Sequence, residues 1–101
     1  MIKHIVMFQI KESHEGADKS FLLQQAARQL DHFQTAIPSL KKFAYAMNSP
    51  LAPTDNYDIL LECTFEDMQG LNDYVVHPVH QEFGKFIVAI KENRACIDYE
   101  I

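Results

Sequence analysis

Apolar and polar positions alternate from residue 2 to residue 10, placing Ile2, His4, Val6, Phe8 and Ile10 on one face and Lys3, Ile5, Met7 and Gln9 on the other. A period of two in β-branched and aromatic side chains predicts a strand, and apolar groups on both faces predict that both are covered. Lys11 to Gly16 is polar and turn-like, and Asp18 or Ser20 is placed to cap a helix. Leu23, Ala26, Ala27, Leu30, Phe33 and Ile37 then recur at helical spacing until Pro38 ends the helix. Residues 40–47 read as a second strand, and Asn48 to Asn56, with Pro50 and Pro53, as the one long loop. In a third strand, residues 57–65, Tyr57, Ile59, Leu61, Cys63 and Phe65 face one way. Glu66 or Asp67 starts a second helix with Met68, Leu71, Tyr74 and Val75 within one face. Pro78 cannot continue that helix, but it opens another turn as the first residue, with His77 at the cap and His80 in the third position. Phe83, Phe86, Ile87 and Ile90 point inward from this last helix, Gly84 is its weak point, and residues 94–101 alternate again as a fourth strand.

The order βαββαβ predicts one domain over residues 1–101, an α+β ferredoxin-like sandwich. Its four strands form an antiparallel sheet in the spatial order 4-1-3-2, with the helices on one face. Ile5, Met7 and Leu60 line the other face, which a monomer would leave in water as an apolar patch. A homodimer is therefore expected, its two sheets closing into a dimeric α+β barrel. Cys63 and Cys96 fall on strands flanking the first, roughly 9 to 10 Å apart. A bridge needs Cα atoms within about 7 Å, so both are read as reduced, buried apolar residues.

Composition narrows the partners. The net charge is −5 and no basic cluster extends beyond Lys41-Lys42, so neither nucleic acid nor an anionic membrane is an expected partner. No apolar run approaches the roughly 18 to 20 residues that cross a bilayer. The start lacks the basic, apolar and small-residue regions of a secretory leader, and with two unbridged thiols this predicts a cytoplasmic protein. Three glycines supply no phosphate loop, and no nucleophile elbow is present.

The sharpest chemical signal is the run Tyr74-Val75-Val76-His77-Pro78-Val79-His80, together with His4 in the first strand. An imidazole in the first turn of a helix feels the positive end of the dipole, which favours its neutral, proton-accepting form. The phenol upstream can place a hydroxyl near the same substrate atom. The alternative is purely structural: His77 caps, His80 satisfies a backbone carbonyl and Tyr74 belongs to the core. A metal held by His77, His80 and His4 is a further alternative, but Pro78 separates the first two rings and spacing fixes no acidic ligand nearby, so no metal is expected. His14 and His32 are read as solvated.

Several of these pieces occur together in one known family. Lys3-His4-Ile5-Val6-Met7-Phe8, Ile37-Pro38, Asn48, Tyr57-Asp58-Ile59, Tyr74 with His77-Pro78-Val79-His80, and Asp98-Tyr99-Glu100 resemble, across the whole chain, the stress-responsive A/B barrel (Dabb) family. The resemblance implies ferredoxin-like subunits paired into a barrel dimer. Its plant polyketide-cyclase branch closes a linear polyketide by aldol chemistry without a cofactor. The catalytic tyrosine and histidine of that branch fall on Tyr74 and His80, a first-strand pocket histidine on His4 and a C-terminal aspartate on Asp98. A further pocket histidine falls on Ile59 and is absent, and the family's usual glycines before Asn48 and Tyr57 are replaced by Ala46 and Asn56.

The expected site is therefore a small-molecule pocket between sheet and helices, under the loop 48–56, needing no cofactor. His4, Tyr74, His80 and Asp98 are its catalytic candidates, and Val6, Phe8, Ile59 and His77 complete the pocket. In one reading His80 removes a proton α to a carbonyl, Tyr74 bonds the substrate oxygen and Asp98 orients His80. In the other the same residues shape a non-catalytic binding or stress-protective dimer.

Overall fold

Strand β1 (Ile2–Ile10) is the axis of the molecule, because it has a strand on each side and a helical layer on one face. The structure, a computed structural model, describes residues 1–101. After β1 come β2 (Ser13–His14), β3 (Ala17–Asp18), α1 (Lys19–Leu30), α2 (Phe33–Ala36), β4 (Lys42–Met47), β5 (Ile59–Phe65), α3 (Met68–Val76), α4 (Pro78–Ile90) and β6 (Lys91–Glu100). The large sheet is antiparallel in the order β4-β5-β1-β6, which is the ferredoxin-like arrangement expected from the βαββαβ pattern.

Alternation in β1 decides what faces what. Ile2, His4, Val6, Phe8 and Ile10 are buried toward the helices, whereas Lys3, Ile5, Met7 and Gln9 are half-buried on the opposite face. On the helix side Ile59, Leu61, Cys63 and Phe65 of β5 join Leu22, Ala26, Leu30, Phe33, Leu71, Tyr74, Phe83, Ile87 and Ile90 in one core. Burying such side chains contributes about 1.5 to 3 kcal/mol each, which is why the period of two in the strands and the helical period in α1, α3 and α4 define the fold.

Several local expectations are corrected. The turn at Lys11 to Gly16 is a small β2–β3 hairpin, with Glu15 and Gly16 both at positive φ (48° and 84°), the backbone that a two-residue hairpin loop requires. The first helix is not continuous to Ile37. It stops at Leu30, and a separate turn, α2, carries Phe33 into the core. Its buried stripe runs through Leu22, Ala26 and Leu30, while Leu23 and Ala27 lie half-buried at the edge. Met68 and Val75 of α3 are exposed, as is Cys96, so only Cys63 is a buried thiol.

Asp58 is a buried carboxylate just before β5. It accepts from the Ile10 amide at 2.8 Å and pairs with Lys19 Nζ at 3.4 Å, tying together the end of β1, the start of β5 and the start of α1. No helix is long and apolar enough to cross a membrane.

Candidate functional site

The break between α3 and α4 places the most chemically active side chains. Asp67 caps α3 by accepting from the Gly70 amide, and α3 then runs until Pro78 withholds an N–H. His77 turns to extended backbone (φ −64°, ψ 137°) and caps α4, its Nδ1 accepting from the Val79 amide at 3.1 Å. One turn into α4, His80 is set against the end of α3, where its Nδ1–H donates to the Val75 carbonyl at 3.1 Å. A carbonyl can only accept, so this bond fixes the tautomer and leaves Nε2 of the neutral ring with a free lone pair. Loss of water on burial lowers the His80 pKa from the ordinary histidine value, and the Val75 bond offsets this only in part.

Tyr74 projects from the last turn of α3 into a group of rings and is only 1% exposed. Its ring centroid lies 4.4 Å from that of His80, 6.1 Å from His4, 5.1 Å from Phe65 and 6.0 Å from Phe33. The hydroxyl accepts a weak bond from the Cys63 thiol at 3.8 Å and donates to no protein group. Burial raises its pKa strongly, so it is a phenol, a hydrogen-bond donor rather than a base, at any neutral pH. The same burial pushes the Cys63 thiol up to about 12, so it is inert.

His4 reaches the same place from β1. Asp98 lies directly opposite it on β6, and its carboxylate accepts from His4 Nδ1. This leaves Nε2 of His4 as its second acceptor or donor, in the manner of an imidazole oriented by a carboxylate. The expectation that Asp98 orients His80 is thus corrected: cross-strand register gives the carboxylate to His4, and a backbone carbonyl orients His80.

His4, Tyr74 and His80 line one cavity of about 180 Å3. Val6, Phe8, Leu61, Phe83 and Ile87 form its apolar walls, and Gly84, Val88, Lys91 and Arg94 complete the lining. Asp98 stands behind His4. Ile59 and His77 do not line the cavity: Ile59 points into the core at 1% exposure, and the His77 ring is turned to its capping bond. The loop 48–56 does not cover it either, since the lining comes from α3, α4, β1, β5 and β6, whereas Asn48 and Ser49 border a separate hollow beside Met7 and Leu60. Sequence reasoning missed Lys91, Arg94 and Cys96. Cys96 Sγ is 3.6 Å from His4 Nδ1, and ligand atoms of His4, Cys96 and Asp98 lie within 4.8 Å of one another, whereas His77 and His80 are committed to separate backbone partners.

This arrangement can hold a small apolar molecule, donate a hydrogen bond from Tyr74 and accept protons at two imidazole nitrogens. Residues 2–101 match the family model of the stress responsive A/B barrel domain. The chain is 23% identical to olivetolic acid cyclase of Cannabis sativa over 99 residues, covering 97% of this chain and 94% of that protein. Among solved structures, a dimeric protein of ferredoxin-like fold and unknown function from Bacteroides fragilis superposes with a TM-score of 0.85 at 27% identity, over 99% of this chain and 95% of the other. Hydroxynitrile lyase from Passiflora edulis shares the fold at 20% identity with a TM-score of 0.78, over 99% of this chain and 92% of the other.

Proposed function

Because the chain belongs to the stress responsive A/B barrel domain family, and because a buried phenol sits between two imidazoles at the wall of an apolar cavity, we propose that it performs acid/base chemistry on a carbonyl substrate, of the cyclase or lyase kind. The observation that carries the reading is the Tyr74 hydroxyl, buried and without a protein acceptor, on a ring 4.4 Å from that of His80, whose Nε2 is free. In the proposed step His80 Nε2 removes the proton α to the substrate carbonyl, and the electron pair moves into the carbon–carbon bond to form an enolate. Tyr74 donates a hydrogen bond to the oxygen on which charge develops. His4, held by Asp98, faces the same space and relays a proton to or from the product.

The relatives support this reading as far as their names go: one is a cyclase and one a lyase. The same reading takes the protein to be a homodimer through its helix-free face. The test is deuterium exchange at the α carbons of medium-chain methyl ketones in heavy water, followed by NMR. The native protein accelerates exchange, and His80→Ala lowers the rate by about 100-fold or more, the usual weight of a positioned base. Tyr74→Phe lowers it with less effect on KM. Binding of the ketone without exchange would favour the non-catalytic small-molecule-binding dimer instead.

A further inference from the structure

Strict alternation along β6 would send residues 91 and 94 to opposite faces of the sheet. They are on the same face, because the β1–β6 register shifts between Gln9 and Ile10: Arg94 pairs with Phe8 and Lys91 pairs with Ile10, both buried helix-side positions. A bulge of this kind re-aims side chains next to a site. Its result here is that Lys91 and Arg94 both line the cavity that holds His4, Tyr74 and His80.

Neither cation has a carboxylate partner. The ion pairs of lysine elsewhere in the chain are Lys3 with Glu62 and Lys19 with Glu12 and Asp58. On the helix-side face of β6, Asp98 is engaged by His4, and Glu100 lies at the far end opposite Ile2. Two cations without a carboxylate partner, Arg94 having only the Cys96 thiol beside it, thus line one apolar cavity in a chain of net charge −5. Low-dielectric walls concentrate such a field on whatever enters.

We propose that Lys91 and Arg94 form a carboxylate subsite, so that the substrate class is an organic acid with an apolar body and, inward from the acid group, a carbonyl. The carbonyl rests on the acid/base reading above; the acid group does not. Behind the cations, Val6, Phe8, Phe83 and Ile87 receive the apolar body. A cavity of about 150 Å3 accepts a benzene-sized group, so this one accepts a ring or a medium alkyl chain. The planar fork of Arg94 suits a carboxylate, and Lys91 adds a point charge.

The probes are octanoate, its neutral isostere octanamide and inorganic phosphate, titrated by calorimetry into the native protein. Octanoate binds about tenfold more tightly than octanamide, the weight of one charge-assisted hydrogen bond. The preference shrinks as salt is added. Arg94→Gln and Lys91→Gln each weaken octanoate severalfold and leave octanamide unchanged, and the retained octanamide binding shows that the variants are folded. Equal affinities for acid and amide, an unaltered octanoate affinity in the double variant, or no octanoate binding would each overturn the proposal. Displacement of octanoate by phosphate alone at matched concentration would overturn the acid assignment. The catalytic reading fails separately: an intact acid preference with ketone exchange that survives His80→Ala would remove the base and leave the subsite standing.

Discussion

At the scale of single residues, environment assigns roles to groups that look alike in the sequence. His77 and His80 are three apart, yet His77 uses Nδ1 as an acceptor at a helix cap while His80 uses Nδ1 as a donor and keeps Nε2 free. The depressed pKa of His80 has two consequences of stated sign. Unfolded, the ring takes up a proton as pH falls through 6.5, whereas the half-buried ring of the folded chain resists it. The stability owed to the neutral ring is therefore complete above pH 6.5 and is lost as pH falls from there toward the folded value. If His80 is the base, the acid limb of the kcat/KM profile for ketone exchange lies below pH 6.5, and a limb at or above that value would exclude His80 from the role. At this scale the sequence was partly legible. Alternation in β1 puts His4, and helical spacing in α3 puts Tyr74, on a face with core residues, whereas His80 is marked only by its place in the first turn after Pro78 and by the family resemblance. The partner of Asp98 was not legible, because the register of two strands separated by 94 positions decides it, and only the pairing of His4 with Asp98 across β1 and β6 shows which imidazole the carboxylate meets. Lys91 was hidden for a related reason: a one-residue shift in register puts it where a regular strand would not, whereas Arg94 shares the face of Cys96 and Asp98 by plain alternation.

At the scale of elements, the cavity exists because α4 is not packed tightly along its whole length. Gly84 lies mid-helix, where glycine costs about 1 kcal/mol relative to alanine, and a Cβ built there meets nothing within 4 Å. The glycine also lines the cavity, so open space at this position belongs to the site rather than to a close helix approach. Gly84→Ala should raise stability by about 0.5 to 1 kcal/mol in denaturant unfolding, since it adds helix propensity without a clash. Gly84→Leu should fill the cavity, keeping the fold while reducing octanoate binding and ketone exchange together. Unchanged binding in the leucine variant would show that the ligand lies elsewhere. The four strands of the large sheet, the α3–α4 break at His77-Pro78 and the Asp67 cap were readable because proline, capping residues and period are local signals. The early end of α1 was not. Leu30, Phe33 and Ile37 keep a helical spacing across the break, and their burial in the core holds whether the backbone between them is one helix or two. The long loop was likewise misplaced over the site, because its composition marks it as a loop and does not say which end of the sheet it covers.

At the scale of the whole molecule, one sheet separates two surfaces with different destinies. His4, Val6 and Phe8 face the cavity, while Ile5, Met7 and Leu60, joined by Ile97 and Tyr99 of β6, form an apolar helix-free face. Ile97 is 59% exposed and Tyr99 42%, which is unusual for large apolar groups lying side by side with further apolar neighbours on a sheet. The relative from Bacteroides fragilis is described as dimeric. Pairing two such faces removes roughly 800 Å2 per protomer from water in a standard interface and covers what the helices leave open. Met7 sits near the centre of the face, opposite Leu60 on one side and Ala95 on the other. Met7→Glu places a carboxylate at that centre, where a dimer would have to bury it unpaired, at a cost of several kcal/mol. Light scattering should find the native chain as a dimer at micromolar concentration and the variant as a monomer or an aggregate. A native monomer under those conditions would end the dimer proposal. Because Met7 and His4 point to opposite sides of the same strand, a folded monomeric variant still contains every residue of the cavity. Its rate of ketone exchange, set beside its octanoate affinity, then separates two uses of the dimer. Loss of both would show that pairing holds β1 and β6 in the register that builds the site, and retention of both would confine the dimer to covering the apolar face.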